Sequence, residues 1–364
     1  MVSRRSLSCE DQQGELRVIT ELDNPFRGEG MPGLTPMPGA DAKAVAALLE
    51  QCPAHHATPL LDCPELAAQA GIAKLTIKDE RGRMGLGSFK ALGAAHAIAR
   101  EAAAVGGDLS VALRGRTYVT ASAGNHGMSV AAGARIFGAA AVIYLSHTVP
   151  EGFARRLEDL GAKVVWAGVN YEASMTAAET AAAANDWTLL SDGSWPGYVE
   201  LPFRVMEGYR QMGTEIASQI QEVPSHVLLQ AGVGGLAAAL AAELRLAWGD
   251  APTMIVVEPE AAPALIESIR AGRVIVTEGP VSAMGRLDCK TPSMLALADL
   301  ARDADRFVTI SEAEALAGAT AVAAAGLASS PSGAAGVAAL LAGLEGIGAQ
   351  SHVLCVLSEG PEDE

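Results

Sequence analysis

From residue 74 onwards, short apolar segments alternate with longer alanine-rich segments along the chain. The short segments are continuously apolar and rich in β-branched residues, as is typical of strands buried on both faces of a parallel sheet. The longer segments have helical character. The pattern predicts strands at 74–79, 117–122, 140–146, 162–167, 187–192, 225–231, 253–259, 306–311 and 351–358. It predicts helices at 125–138, 151–161, 171–185, 203–222, 234–248, 311–326 and 334–346.

This alternation is the signature of βα units. It predicts an open α/β fold with helices on both faces of a mostly parallel sheet, and with ligands gathered at the carboxyl ends of the strands. The glycine- and proline-rich segment 24–40 is predicted to be irregular and on the surface. The acidic end of the chain, EGPEDE (359–364), is predicted to be solvated.

The composition of the chain argues against several kinds of binding partner. The 364-residue chain carries a formal net charge of −16, which argues against binding to nucleic acid. Its five cysteines are scattered without a CxxC pair, so neither a disulfide framework nor a metal site is predicted. We find no apolar run long enough for a membrane span and no signal-peptide pattern, so we expect a cytoplasmic protein that does not bind membranes.

One lysine stands out in the stretch GLGSFKALGAAHAIAR (85–100), where Lys90 is at the predicted start of a helix. Apolar neighbours and the positive end of the helix dipole would both favour a neutral amine. The neutral amine is the form that makes a Schiff base with an aldehyde. A lysine whose ammonium group reaches solvent would also fit this position.

A second motif, LLQAGVGGLAAALAAEL (228–244), predicts a strand, a glycine-rich turn and a helix. Gly232, Gly234 and Gly235 would let backbone N–H groups close on an anion at the helix N-terminus. The spacing matches neither the dinucleotide fingerprint nor the P-loop, so it favours a phosphate group smaller than a dinucleotide. A tight turn without a ligand is the alternative.

A third motif, TASAGNHGMSVA (120–131), again predicts a strand, a polar turn and a helix. Ser122, Asn125 and His126 could bind a carboxylate or a ring hydroxyl there. Helix capping by Ser122 and Asn125, and a structural role for His126, are alternatives. Together, a lysine for an aldehyde, a phosphate cradle and a polar group for a ring match the chemistry of pyridoxal 5′-phosphate.

These motifs resemble those of the fold-type II pyridoxal-phosphate enzymes, and within that family the chain is most similar to the diaminopropionate ammonia-lyases. The similarity extends from 57–80 to 353–360, which is most of the chain. The general pattern of the family is matched by Lys78-Asp79-Glu80, Arg83, Gly85-Leu86 and Phe89-Lys90. The stretches SDGSWPGYVELP (191–202) and MEGY (206–209) resemble the ammonia-lyase subgroup.

The resemblance implies a role for each candidate residue. Lys90 is implied to form the Schiff base and to remove the Cα proton, Asn125 to contact the 3′-hydroxyl, and Ser358 to face the pyridine nitrogen. The phosphate would be surrounded by Gly232, Val233, Gly234, Gly235 and Leu236. In the mechanism that we expect, the substrate carboxylate would be held by the backbone and side chains of Ser122, Gly124, Asn125 and His126. Asp192 is implied to lie at the active site, where we expect it to supply or relay a proton to an amine leaving group, although a capping role is the alternative.

We therefore predict an α,β-elimination lyase that converts a small β-substituted amino acid, most simply 2,3-diaminopropionate, to pyruvate and ammonia. Two positions depart from the family pattern: Ala123 replaces an aspartate, as in serine and threonine dehydratases, and Pro331 replaces a glutamate. A serine- or threonine-type dehydratase and a β-replacement synthase are alternatives. From another class, a cofactor-binding sensor without catalysis is also an alternative.

The resemblance also implies a subunit of two open, mostly parallel α/β domains. The smaller domain is expected at 92–195 and the larger, cofactor-binding domain at 1–91 and 196–364. A homodimer is expected, as is closure of the domains over the substrate to exclude water.

Overall fold

The computed structural model describes residues 19–36, 39, 41–122, 124–147, 149 and 151–361. The strands are β1 (Glu21–Asp23), β2 (Leu60–Asp62), β3 (Lys74–Asp79), β4 (Thr117–Ala121), β5 (Ala140–Leu145), β6 (Lys163–Trp166), β7 (Thr188–Leu189), β8 (His226–Gln230), β9 (Thr253–Pro259), β10 (Arg306–Ile310) and β11 (His352–Leu357). The helices are α1 (Ala42–Leu49), α2 (Pro64–Ala70), α3 (Lys90–Val105), α4 (Asn125–Ile136), α5 (Glu151–Asp159), α6 (Tyr171–Asn185), α7 (Glu200–Gln219), α8 (Gly235–Trp248), α9 (Ala264–Ala271), α10 (Met294–Asp303), α11 (Glu312–Ala324) and α12 (Ala335–Ala342).

The strands form two sheets. A seven-stranded sheet has the order β1-β10-β9-β8-β11-β3-β2, and a four-stranded sheet has the order β6-β5-β4-β7. All neighbouring strands are parallel except the two edge pairs, β1 with β10 and β2 with β3. The predicted α/β class is therefore confirmed. None of the helices in the described part of the chain has the length and apolarity to cross a bilayer.

All nine predicted strands are present. The five of them that belong to the seven-stranded sheet have continuously buried central residues. The largest difference is in β7, which is only two residues long, because the chain leaves the sheet after Leu189 and continues into the site described below. The sequence pattern did not reveal β1, β2, α1, α2, α9 or α10. The two strands among these are three residues each, too short for their periodicity to be recognised.

Two sequence predictions on the chain termini need correction. The segment 24–36 is irregular, but it is not confined to the surface, since Met31 is buried and the Asn24 amide donates to carbonyl groups at the end of α10. Residues 37, 38 and 40 lie outside the described residues. In the acidic end of the chain, Glu359 is buried rather than solvated. Residues 362–364 lie outside the described residues.

Helices α3 and α7 pack closely because glycines stand at their contact. A Cβ atom added to Gly93 would lie 2.5 Å from Cε1 of Tyr209, and one added to Gly208 would lie 2.8 Å from the Cβ of His96. Both distances are too short for non-bonded carbon atoms, so neither position tolerates a side chain without movement of the helices. The two glycines thereby bring Tyr209 of α7 against the first turn of α3.

A fully buried ion network fixes the loop that leads into α3. The Arg83 guanidinium donates to Glu80 and to Glu215, with shortest distances of 2.7 Å to each. Lys78 of β3 donates to Glu215 at 2.7 Å and to the Thr58 carbonyl at 2.8 Å. Burial raises the pKa of Glu215, but the hydrogen bonds and charges of Arg83 and Lys78 outweigh burial, so the net pKa lies below its usual range. The network joins β3, the loop after it and α7.

Substitution Glu215→Gln is expected to lower the free energy of unfolding by about 3–5 kcal/mol, because it leaves two buried cations without their shared anion. Urea unfolding at neutral pH measures the loss. Glu200→Gln on the same helix is the control, since Glu200 is exposed and forms a surface ion pair with Arg204, and we expect a change of less than about 1 kcal/mol. The native contribution of Glu215 is present at neutral pH and is lost as the pH falls through its folded-state pKa. Equal losses in the two variants would contradict this role.

Candidate active site

The predicted site residues converge because the strands that precede them are neighbours. Lys90 follows β3, the glycine turn follows β8 and Ser358 follows β11, and these three strands are adjacent in the seven-stranded sheet. The polar turn follows β4 and Asp192 follows β7, which are adjacent in the four-stranded sheet. In parallel sheets the carboxyl ends of neighbouring strands meet at one edge. Contacts between Lys90 and Asp192, and between Asn125 and Glu359, join the two edges.

Lys90 is the first residue of α3, as predicted, and its Nζ donates to Oδ2 of Asp192. The two side chains are about one-fifth exposed, at 21% and 17%. Burial lowers the pKa of Lys90, but the Asp192 carboxylate outweighs burial and holds that pKa above its usual range. The same contact holds the pKa of Asp192 below its usual range, although burial alone would raise it. The prediction of a neutral Lys90 amine is therefore wrong in this structure: the pair is an ammonium and a carboxylate.

Aromatic rings line the Lys90 side chain. Its Nζ lies 5.3 Å from the ring centroid of Phe89 and 5.9 Å from that of Tyr209, and the two rings meet edge to face at 4.9 Å. Both rings can stabilise a cation at this position. The Tyr209 hydroxyl is buried and has no hydrogen-bond partner among the described residues. A buried hydroxyl without a close partner is costly, so this oxygen is available to the nearby Lys90 ammonium or to a bound group.

The polar turn is held by its own side chains. Ser122 Oγ accepts the N–H groups of Gly124 at 3.2 Å and of Gly127 at 3.1 Å, so it caps the start of α4. The serine hydroxyl can still donate its own proton to a ligand. Asn125 is the first residue of α4, and its amide donates to the Glu359 carboxylate. Position 123, where this chain has alanine, lies outside the described residues.

The ring of His126 is bonded elsewhere and does not point to a role in binding the substrate carboxylate. Its Nε2 donates to the Leu190 carbonyl at 2.8 Å, and the residue is buried. Burial lowers the pKa of His126, so the ring is neutral at physiological pH. The prediction is corrected in this respect: only the backbone N–H of His126 is suited to an anion at the start of α4. The ring instead holds Leu190, two residues before Asp192, and so helps to position Asp192.

The glycine turn leads into α8 as predicted. Gly234 has a φ of +101°, a conformation that residues with side chains rarely adopt. A Cβ at Gly232 would lie 2.9 Å from Cys289 Sγ, so the turn packs flat against the segment before α10. The Ala238 N–H donates to the Gly234 carbonyl at 2.9 Å, and this bond begins the hydrogen-bond ladder of α8. The N–H groups of the turn and of the first two residues of α8, Gly235 and Leu236, are thus suited to an anion.

At the end of β11, Ser358 is buried beside the loop that carries Lys90. Its carbonyl accepts the Phe89 N–H at 3.1 Å, and its own N–H donates to the Gly333 carbonyl at 3.3 Å. The neighbouring Glu359 accepts hydrogen bonds from Asn125 and from Ser330 Oγ. Glu359 therefore ties the polar turn to the carboxyl end of β11.

Sequence reasoning missed four residues at this site: Tyr209, Arg286, Cys289 and Glu359. Tyr209 is the last residue of the MEGY stretch and Glu359 directly follows Ser358, but the sequence pattern assigns neither of them a role at the site. Burial raises the pKa of the Cys289 thiol to about 12, and Asp192 contributes to the shift, so the thiol stays protonated. Arg286 lies over Gly124, where a Cβ would be only 3.3 Å from its Cζ. No local pattern in the sequence indicates Arg286 or Cys289 as site residues.

The arrangement fits pyridoxal phosphate on observations of the structure itself. Lys90 supplies an amine that can bond to an aldehyde carbon, the start of α8 is suited to a phosphate, and the buried Tyr209 ring lies 5.9 Å from Lys90 Nζ. An amino-acid carboxylate would find N–H groups and Ser122 at the start of α4. Chemically, the site can hold a phosphorylated aldehyde and an amino acid together.

Comparison with known proteins agrees with this description. Residues 52–359 match the family described as "Pyridoxal-phosphate dependent enzyme". Diaminopropionate ammonia-lyase of Escherichia coli K12 is 30% identical over 312 residues, covering 80% of this chain and 77% of that protein. A serine dehydratase-like protein of Rattus norvegicus is 29% identical over 257 residues, covering 70% of this chain and 71% of that protein.

The fold also matches a crystal structure of diaminopropionate ammonia lyase from Escherichia coli in complex with an aminoacrylate-PLP azomethine reaction intermediate. The TM-score is 0.82 at 28% sequence identity, with 94% of each chain covered. This chain belongs to the fold-type II pyridoxal-phosphate-dependent enzymes, within the group of amino-acid eliminases that includes diaminopropionate ammonia-lyase and the serine and threonine dehydratases.

Proposed function

We propose that this enzyme eliminates the β-amino group of L-2,3-diaminopropionate. The observation that carries the proposal is the contact of Lys90 with Asp192, which sets a lysine base beside a carboxylate that can receive a cationic leaving group. One water is consumed, and the products are one pyruvate and two ammonia. The name of the Escherichia coli relative supports this choice of substrate.

When bound, pyridoxal phosphate draws away the electron pair that remains on Cα after a proton is removed. Lys90 would hold its aldehyde carbon, Asn125 its 3′-hydroxyl and Ser358 its ring nitrogen. The phosphate would be held at the start of α8 by Gly232, Val233, Gly234, Gly235 and Leu236.

Lys90 must be neutral to take the Cα proton, and a diamine substrate helps to bring this about. In the structure, the Asp192 carboxylate holds Lys90 as an ammonium. A substrate β-ammonium group placed against Asp192 replaces Lys90 as the cation that pairs with this carboxylate. Burial then dominates the environment of Lys90 and lowers its pKa, which favours the free base.

Asp192 also assists departure of the leaving group. Because its pKa is held below the usual range, Asp192 is a carboxylate with no proton to supply, which corrects that part of the expected role. It would instead hold the substrate β-amino group in its protonated form. The Cα proton goes to Lys90 Nζ, the Cβ–N bond breaks, and the nitrogen departs with its protons. Water then hydrolyses the remaining three-carbon fragment to pyruvate and the second ammonia.

The substrate carboxylate is assigned to the start of α4, where Ser122, Gly124, Asn125 and the backbone N–H of His126 form the polar turn. This turn belongs to a proposed smaller domain, residues 92–195, and the rest of the chain, 1–91 and 196–364, forms the proposed larger domain. All four strands of the smaller sheet fall between residues 117 and 189, in agreement with that division. We further propose that the enzyme is a cytoplasmic homodimer whose domains close over the substrate.

A serine- or threonine-type dehydratase is the second candidate. It is favoured by Ala123, which this chain shares with those enzymes in the polar-turn motif, and by the similarity to the rat protein. The two candidates are separated by kcat/KM for L-2,3-diaminopropionate, L-serine and L-threonine with the cofactor-loaded enzyme. We expect the diamine to exceed both hydroxy amino acids by at least about 10-fold, because Asp192 pairs only with the cationic β-group. A higher value for L-serine or L-threonine would establish the dehydratase instead.

A further inference from the structure

Arg286 lies in the segment between α9 and α10, and its backbone is fixed to the seven-stranded-sheet side of the site. Its N–H donates to Ser332 Oγ at 3.1 Å. A Cβ at Gly232 would lie 3.2 Å from the Arg286 carbonyl oxygen, so the backbone of Arg286 packs against the glycine turn. The starting point of this side chain is therefore rigidly placed beside the proposed phosphate site.

The Arg286 side chain reaches across to the four-stranded-sheet side. Its guanidinium lies over Gly124, the residue that precedes α4, and Cζ lies 6.0 Å from the ring centroid of Phe153 in α5. The Nε atom of Arg286 lies 4.0 Å from Oε1 of Glu359, which follows β11 of the seven-stranded sheet. With 29% of its side chain exposed, Arg286 is accessible to a small molecule in the site.

The location and charge of Arg286 indicate that its ligand is a carboxylate. A guanidinium is always charged, and its planar fork matches a carboxylate with two parallel hydrogen bonds. The start of α4 adds backbone N–H groups and the positive end of a helix dipole at the same place. Gly124 leaves room for the guanidinium at this point, because a side chain there would overlap it.

We propose that Arg286, whose guanidinium lies over Gly124 at the start of α4, binds the α-carboxylate of the amino-acid substrate together with the polar turn. The proposal rests on the proposed function in one respect, the assignment of that carboxylate to the start of α4. A carboxylate held there would be bound by groups from both sides of the site.

The same arrangement orients a diamine substrate. Arg286 is positive at the carboxylate end, and Asp192 is negative at the end near Lys90. A β-ammonium group is repelled by the first and attracted by the second, whereas the carboxylate has the opposite preferences. The orientation that places the carboxylate at Arg286 and the β-ammonium at Asp192 satisfies both charges, with Glu359 and Lys90 as the other members of the two ion pairs.

The test compares two ligands that differ only in the carboxylate, L-alanine and L-alaninamide. Neither carries a β-leaving group, so binding is followed through the visible absorption of the bound cofactor without turnover. For Arg286→Gln we expect the Kd for alanine to rise about 10- to 100-fold, as for loss of hydrogen bonds to a charged group. The Kd for alaninamide should change by less than about 3-fold, and Arg286→Lys should give an intermediate Kd for alanine.

Arg273→Gln is the matched control, since Arg273 is exposed, lies in the same segment and has its backbone bonded to Ser268 of α9. We expect it to leave both Kd values unchanged. Equal weakening of alanine and alaninamide in Arg286→Gln, no weakening of either, or no preference of the wild-type enzyme for alanine would each overturn the proposal. Because the titration needs no elimination, failure of the enzyme to release pyruvate from the diamine would contradict the proposed function while leaving this result intact.

Discussion

Replacing Lys90 with alanine is expected to lower kcat for the elimination by at least about 10⁴-fold, because the variant lacks both the covalent anchor and the base. The visible absorption of the covalently held cofactor should disappear in the same variant. Lys90 is the first residue of α3 and lies against Asp192, Phe89 and Tyr209, so no other lysine among the described residues is placed to substitute for it. Pyruvate formation and an absorption spectrum measure the two effects.

Lys43→Ala is the matched control for this prediction. Lys43 is exposed on α1, where alanine is a good helix former, and we expect kcat and the spectrum to remain those of the wild type. Folding of Lys90→Ala is checked by its far-ultraviolet circular dichroism. A folded Lys90→Ala protein with wild-type turnover would rule out Lys90 as the base.

The second large effect is expected for Asp192→Asn. We expect kcat/KM for L-2,3-diaminopropionate to fall about 100- to 1,000-fold, because asparagine neither pairs with the β-ammonium nor holds the leaving group in its protonated form. The loss for L-serine should be much smaller, since a hydroxyl leaving group carries no charge for Asp192 to bind. Asp186→Asn is the matched control: Asp186 is exposed at the end of α6 with a φ of +55°, a conformation that asparagine also accepts.

Asp192→Asn should also change how the protein captures its cofactor. The Asp192 carboxylate holds the pKa of Lys90 above its usual range against the effect of burial. Without that carboxylate, burial dominates and lowers the pKa, so a neutral amine becomes available at lower pH. The rate at which cofactor-free protein takes up pyridoxal phosphate increases with pH as Lys90 loses its proton. This increase should therefore begin at a lower pH in the variant than in the wild type. Equal losses for both substrates, together with an unshifted uptake profile, would contradict this role for Asp192.

The fold was largely predictable because its signal is local. Each central strand of the seven-stranded sheet, such as β9 or β11, is a continuous apolar run that can be recognised without knowing its neighbours. The positions of Lys90 and of the glycine turn were predictable for the same reason, since each follows a strand and begins a helix. The edge strands β1 and β2 were missed because three residues do not establish a periodicity.

Contacts between distant parts of the chain could not be derived from the sequence pattern. Lys90 and Asp192 are 102 residues apart, so the sequence predicted the burial of Lys90 but not the carboxylate that reverses the effect of burial on its pKa. Asn125 and Glu359 are 234 residues apart, and the acidic composition around Glu359 suggested solvent rather than a buried hydrogen bond. Arg286 lies in an irregular segment, where neither periodicity nor a motif indicates the direction of its side chain.

The ratio of ammonia to pyruvate released from L-2,3-diaminopropionate by the purified, cofactor-loaded enzyme tests the central claim most directly. Elimination of the β-amino group followed by hydrolysis predicts two ammonia per pyruvate, at a rate that depends on Lys90 and Asp192. Absence of turnover on the diamine, in an enzyme whose Lys90-linked cofactor absorption is intact and which releases one ammonia per 2-oxo acid from L-serine or L-threonine, would contradict it.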